Sequence, residues 1–295
     1  METSSKRKFR FGITGRGESV AEWRDFARKA EDLGYSTLVI GDHVDRFMAP
    51  LLALVAAAQA TTRLRFGAQV LVNDFRHPAI VAKEAATADV MTDGRFELGV
   101  GVGSTPQEYQ MIGLPIETPG VRVERVRESV RILKAFFTQE TVNYNGRHYQ
   151  IAGLAGYPKP VQRPHMPLMI GANGPRTLRL AAQEADIISI LTQLSAGTRA
   201  SGSMSEKVGI VREAAGPRYE KCELHTWFTR VQIDAEGPLG SLPANQEGFP
   251  GLAGSRDQVI EQLLAEREQN DISYITVTGP AIDVFAPVVA RLAGT

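Results

Sequence analysis

Residues 36–44 read STLVIGDHV, a run of strand-forming side chains that stops at Gly41, Asp42 and His43. Thr37 to Ile40 suit a pleated, buried surface, and polar groups at the tip are how such a strand ends when its end carries chemistry. If this is a barrel strand, period-two alternation puts Thr37, Val39, Gly41 and His43 on one face. Gly41 then leaves space beside the imidazole. His43 is the leading catalytic candidate on that reading, against a strand-end histidine that merely bonds its own loop.

Outward from this strand, the chain alternates. On its N-terminal side, Lys8 to Ile13 predicts a strand. Val20, Trp23, Phe26, Ala27, Ala30 and Leu33 then keep helical spacing, with Ser19 as cap and Gly34 as stop. On its C-terminal side come a helix over Leu51 to Ala60, a strand over Leu64 to Val72, and a turn at Asn73 and Asp74. His77 precedes Pro78, which suits the first position of a helix running to Met91. Asp93-Gly94 turns the chain into a fourth strand, Phe96 to Val102. There the alternation pauses for a helix marked by Val123, Val126, Val130, Leu133 and Phe137. A hairpin over Thr141 to Ile151, turning at Asn145-Gly146, and a proline-rich connector from Pro158 to Pro167 complete the pause.

Strand and helix then resume. Strands are predicted at Leu168 to Gly171, Asp186 to Leu191, Leu224 to Ile233 and Ile272 to Val277. Helices are predicted at Arg176 to Glu184, Glu206 to Ala214, Asp257 to Gln269, and over Ile282, Phe285, Val289 and Leu292. Eight strands alternating with helices imply an α/β fold, a (β/α)8 TIM barrel with a long insertion between strands 4 and 5. A doubly wound open sheet is the alternative. The expected organisation is one domain over residues 1–295. Thr192 to Ser205 and Ala235 to Ser255 follow strands and are rich in glycine, serine or proline. Such loops sit on the face where a barrel keeps its site, and the first predicts a mobile lid over a substrate pocket.

Thirty-three basic and thirty-three acidic residues cancel over 295 positions. With no charge run, a small organic molecule is the expected partner, rather than nucleic acid or a membrane surface. One cysteine, Cys222, excludes an intramolecular disulfide and a multi-thiolate metal site, and no metal site is expected. No apolar run reaches signal or membrane-spanning length, so a soluble, cytoplasmic protein is expected. HExxH, P-loop and GxSxG motifs do not occur.

Two further stretches can carry a ligand. Strand four ends GVGVGS, with Gly99, Gly101 and Gly103 on one face. It lacks the dinucleotide fingerprint, and its bare positions mean either close strand packing or a flat ring against the backbone. Strand five ends at Gly171, after which Ala172, Asn173, Gly174 and Pro175 open a helix whose N–H groups form a ready phosphate site, or an ordinary cap. His77, His148, His165 and His225 read as structural or exposed.

Taken in order, Asp42-His43, the NDFRHP stretch from Asn73 to Pro78 followed by AKEAAT, the glycine-rich strand after Asp93-Gly94-Arg95, and the GANGP turn resemble the luciferase-like oxidoreductases. The similarity is greatest to the branch that uses the deazaflavin coenzyme F420. The resemblance spans nearly the whole chain. It implies a barrel, a homodimer, and a cofactor ring at the carboxyl ends of the strands. It implies that His43 gives or takes a proton beside the ring and that Asp42 contacts the cofactor. Gln69 and Val70 lie where relatives often have a non-prolyl cis peptide backing the ring. Gly101, Val102 and Gly103 would flank the cofactor's side chain, and Ala172, Asn173, Gly174 and Pro175 would hold its phosphate. Ser104 stands near where the sugar-phosphate dehydrogenase members have a glutamate, which speaks against a sugar phosphate substrate. An FMN-dependent monooxygenase on the same fold and a non-catalytic flavin-binding barrel are the rival readings.

Overall fold

Local signals set the first half of the chain. In the computed structural model, which describes residues 7–191, 202–234 and 251–295, β1 (Arg10–Thr14) leads into α1 (Val20–Asp32). The Ser19 side chain accepts the Glu22 N–H and so caps α1, and Gly34 leaves it with φ +83°. β2 (Thr37–Ile40), α2 (Pro50–Ala58), β3 (Arg65–Val72), α3 (Pro78–Met91) and β4 (Phe96–Gly101) follow. His77 caps α3 by accepting the Ala79 N–H at 3.2 Å, with Pro78 opening the helix.

The insertion contains α4 (Pro106–Met111), α5 (Pro119–Thr138) and the antiparallel hairpin of β5 (Thr141–Asn145) and β6 (Gln150–Ala155). The Glu128 carboxylate on α5 accepts the backbone N–H groups of Arg147, His148 and Tyr149, which pins the hairpin's turn to that helix. The barrel resumes with β7 (Leu168–Ala172), α6 (Pro175–Glu184), β8 (Ile187–Ile190), α7 (Met204–Ala215) and β9 (Glu223–Phe228). Then come β10 (Arg230–Ile233), β11 (Gly251–Gly254), α8 (Arg256–Asn270), β12 (Ile272–Val277) and α9 (Ile282–Leu292). All eight barrel strands are parallel, and the sheet closes in the order β1, β12, β9, β8, β7, β4, β3, β2. The open-sheet alternative is thereby excluded.

The end of the chain departs from the pattern. The strand expected over Leu224 to Ile233 breaks at Thr229, and β10 leaves the barrel to pair in parallel with β11. Val231 and Ile233 bury their side chains there with Leu252. Gly251–Gly254 reads GLAG, whose composition carries no strand signal, so it was invisible within the Ala235 to Ser255 loop. The loop expected over Thr192 to Ser205 ends sooner than expected, because Ser203 and Glu206 form a capping box and Met204 already belongs to α7. Residues 192–201 and 235–250, with the expected lid, lie outside the described residues.

Two environments result. Between barrel and helices the packing is apolar, with Phe11, Ile13, Leu38, Phe66, Phe96 and Leu98 fully buried. The barrel lumen is polar. At its amino end Arg10 meets Glu97 at 2.8 Å and Glu223 at 2.6 Å, Arg65 meets Glu97 at 2.6 Å, and the Arg10 guanidinium lies 3.6 Å from the Tyr274 ring centre. Above this, buried His225 bonds Ser189 and Thr276 at 2.9 Å each and Gln69 at 2.7 Å. Burial, then the nearby Arg10 charge, hold His225 well below the usual imidazole range, so it is a neutral hub.

Candidate active site at the barrel mouth

His43 follows β2 as the alternation requires. A Cβ placed on Gly41 would lie 3.2 Å from the His43 ring and 3.9 Å from the Gln69 carbonyl, so the glycine makes room for the imidazole beside that peptide. Nδ1 of His43 stands 2.5 Å from Glu108 Oε1. Glu108 is 4% exposed, whereas His43 is 32% exposed. A carboxylate at that distance makes Nδ1 the donor and leaves Nε2 as the atom able to exchange a proton. Sequence reading missed Glu108, whose only local signal is its place in the first turn of α4, directly after the glycine-rich strand. A carboxylate therefore stands beside His43, supplied from α4 rather than from position 104, which is serine.

Asp45 completes a trio with His43 and Glu108 whose ligand-type atoms lie within 4.8 Å of one another. Two atoms bound to one ion at roughly 2.1 Å stand about 3 Å or more apart, wider than the His43–Glu108 contact. Arg46 already places its guanidinium 3.4 Å from Asp45 and 3.6 Å from Glu108 and supplies the positive charge. The trio therefore reads as an acid–base pair with a cationic neighbour.

The non-prolyl cis bond is Gln69–Val70. The Gln69 side chain turns down to His225, and Val70 packs with Met169, Ile187 and Tyr274. The row of glycines serves this residue. A Cβ on Gly99 or Gly101 would come within 2.8 or 2.6 Å of a Val70 methyl, and one on Gly171 within 3.3 Å. The row packs closely around Val70, the apolar floor of the mouth, and a Cβ on Gly99 would also clash with the Ala68 carbonyl. Gly103 has φ +71° and lies against Tyr109, where a Cβ would stand 2.4 Å from the hydroxyl. Arg122 donates to the carbonyls of Val102 and Gly103 and clamps that loop.

Asp42 is 6% exposed, and both its oxygens accept from Arg76, at 2.7 and 2.9 Å, while one also accepts the Val72 N–H. Its carboxylate thus fixes the Asn73–Pro78 stretch to the end of β2. At the GANGP turn, a Cβ on Gly174 would meet nothing within 4 Å, so the glycine borders open space. α6 starts there without a side-chain cap and without an acidic residue in its first turn. Asn173 contributes its side chain as well, since buried Lys207 on α7 donates to its Oδ1 and to the Leu191 carbonyl. Burial lowers the Lys207 pKa. Of the remaining histidines, His77 caps α3 and His225 sits in the lumen network. His165 bonds the Met166 carbonyl at 2.7 Å.

The chain is similar to known proteins in sequence and in fold. Over 187 residues the chain is 34% identical to an F420-dependent glucose-6-phosphate dehydrogenase of Microbacterium testaceum, an alignment covering 60% of this chain and 55% of that one. A protein of the same name from Nakamurella multipartita is 33% identical over 60% of this chain and 54% of its own. The chain thus spans about half the length of the curated relatives it matches. The fold matches a coenzyme F420-dependent tetrahydromethanopterin reductase from Methanopyrus kandleri with a TM-score of 0.80 at 18% identity, covering 97% of this chain and 99% of that one. It matches a long-chain alkane monooxygenase with the same score at 13% identity, covering 97% and 91%. Residues 2–223 fit the model of one family, and on that match the chain belongs to the luciferase-like monooxygenase family.

Proposed function

We propose that the chain is a coenzyme F420-dependent oxidoreductase that moves a hydride between the deazaflavin and a small organic substrate. The observation that carries this reading is His43, held by Glu108 over Gly41 beside the Gln69–Val70 peptide. Relatives at 33 and 34% identity that are named for the same coenzyme support it. The residues fit the group. Val70 offers an apolar floor for a flat ring, and the open position at Gly174 with the uncapped start of α6 offers a cradle for a phosphate. When bound, the deazaflavin supplies the hydride chemistry. Glu108 orients the His43 ring, and Nε2 gives or takes the substrate proton. Lys207 fixes the phosphate turn through Asn173. In this reading residues 1–295 act as one unit in a reducing cytoplasm, where buried Cys222 remains a thiol.

A monooxygenase using FMN is the second reading, favoured by the alkane monooxygenase likeness and needing the same flat cavity. Fluorescence titration with each cofactor decides between them. Coenzyme F420 is expected to bind at least tenfold tighter than FMN, a difference of about 1.4 kcal/mol. Gly174→Val is expected to weaken F420 binding about tenfold or more by filling the cradle. Preference for FMN, with rapid oxygen-dependent turnover, would replace the first reading with the second.

The same reading includes a homodimer. Neighbouring helices α2 and α3 leave Leu52, Ile80 and Met91 exposed at 76, 53 and 50%, apolar side chains that a second copy would cover. Sedimentation should give a dimer for the wild type and a shift toward monomer for Leu52→Glu/Ile80→Glu. A monomeric wild type at micromolar concentration would remove the dimer.

A further inference from the structure

Two residues that shape the mouth stand outside the ladder of the sheet that carries them. β3 pairs with β2 as far as Ala68, and its register with β4 runs from Ala68 opposite Leu98 directly to Leu71 opposite Val100. Gln69 and Val70 therefore oppose the single residue Gly99, a bulge that re-aims side chains and gives up pairing. Val70 is nevertheless the floor of the mouth, and the Gln69 carbonyl stands beside Gly41 and so beside His43. What fixes the bulge lies elsewhere.

The bond that does so crosses the barrel. β9 lies four places from β3 in the ring of eight strands, so the two face each other through the lumen. Alternation along β9, in register with Ser189 on β8 and Tyr274 on β12, turns His225 inward. The Gln69 amide nitrogen reaches His225 Nε2 at 2.7 Å and also lies 3.9 Å from Met169 Sδ. An amide nitrogen only donates, so Nε2 of the neutral ring accepts, and the ring's one proton sits on Nδ1, 2.9 Å from Ser189 Oγ. Thr276 approaches Nε2 at 2.9 Å, and the Tyr274 ring meets the imidazole edge-on with centroids 4.6 Å apart. Gly12 leaves room for this arrangement, since a Cβ there would stand 2.7 Å from the Thr276 hydroxyl and 3.2 Å from the Tyr274 ring. Fully buried and oriented from β8, β12 and β3, His225 is a rigid post under the bulge.

We propose that His225 is a positioning residue: through Gln69 it holds the bulge of β3 at the height where the Val70 floor and the His43 imidazole face the same ring. The bracing of the bulge stands on contacts within the chain; its bearing on the ring rests on the deazaflavin reading.

Two measurements test this on wild type, His225→Asn, His225→Gln and Gln69→Met. Asparagine places its amide near the position of Nδ1 and falls short of Gln69, whereas glutamine places an acceptor near that of Nε2 and restores the bond. Gln69→Met breaks the same bond from β3 with little change of volume, so it carries the test if His225→Asn fails to fold. In the cofactor-free protein, amide hydrogen exchange is followed in a peptide spanning the bulge and in α8, outside the barrel. Exchange in the bulge is expected to quicken about tenfold or more in His225→Asn and Gln69→Met, to stay near wild type in His225→Gln, and to leave α8 unchanged. The second measurement is a fluorescence titration with coenzyme F420. Affinity is expected to fall about tenfold in His225→Asn and Gln69→Met and to recover in His225→Gln, with His225→Asn/Gln69→Met no worse than either single variant. Exchange that quickens equally in α8 is a general loss of stability and overturns the proposal. Unchanged exchange, or unchanged F420 affinity, in His225→Asn and Gln69→Met overturns it as well. Should wild type bind no F420, the functional reading fails, while the exchange measurement still decides whether His225 holds the bulge.

Discussion

His43→Ala is expected to slow single-turnover hydride transfer by about a hundredfold or more, with affinity for the deazaflavin kept within about tenfold of wild type. Transfer of a hydride to or from a substrate carbon leaves charge on the neighbouring atom. A positioned imidazole neutralises it in the transition state, and such assistance contributes about 10²- to 10⁴-fold, or roughly 3 to 5 kcal/mol. Cofactor affinity depends on other parts: the Val70 floor, the Gly174 cradle and the start of α6. One imidazole, 32% exposed at the rim, adds little to that area. His43→Asn should match His43→Ala, because it keeps hydrogen bonding without exchanging a proton. Glu108→Gln should fall between wild type and these variants, since it still accepts from Nδ1 but no longer offsets the charge of a protonated ring. Stopped-flow absorbance of the deazaflavin, beside a titration of each variant, reads both quantities. Normal chemistry with lost affinity would make His43 a binding residue, and no change in either would make it structural.

Much of the frame was legible because it rests on neighbours in sequence. Ser19 and Glu22, or His77 and Pro78, declare helix starts within three residues, and alternating strands and helices leave few closed topologies. The placement of His43 behind Gly41 follows from period-two geometry alone. Contacts across the fold were not legible. Glu108 reaches His43 from 65 positions away, and Lys207 reaches Asn173 from 34. Nothing local to either residue names its partner. Val70 shows the same limit in reverse. Three glycines on β4 and β7 make room for one valine on β3, a packing relation that reads in sequence only as glycine richness. The Asp42–Arg76 pair is another such contact, since both Asp42 oxygens accept from an arginine in a loop that pattern alone could not dock.

The lumen charges illustrate a different limit: nothing next to Arg10, Arg65, Glu97 or Glu223 in sequence turns them inward, and only the closed barrel brings them together. Their consequence is the largest expected effect on stability. Glu97 is 3% exposed and receives two guanidinium groups, from Arg10 at 2.8 Å and Arg65 at 2.6 Å. Removing one member of such a set leaves its partners' charge buried without compensation, so Glu97→Ala is expected to destabilise the fold by about 3 to 5 kcal/mol. Arg10 retains Glu223, the Thr37 hydroxyl at 3.3 Å and the face of Tyr274, and its side chain is 21% exposed, too little for water to replace the lost carboxylate. Burial by itself would raise the Glu97 pKa, but the charges of Arg10 and Arg65 and their hydrogen bonds outweigh it, and the net shift is downward. A carboxylate with a lowered folded pKa contributes stability that is complete above its unfolded pKa, about 4.3, and is lost as pH falls through the folded value. Wild type should therefore lose stability on acidification below about pH 4, while Glu97→Gln, already neutral, should be less stable at pH 7 and flatter across that acid range. Urea denaturation at pH 7 and at about pH 3.5 measures both. A Glu97→Ala cost under about 1 kcal/mol, or an acid dependence in Glu97→Gln as steep as in wild type, would place the lumen charges in water rather than in the core.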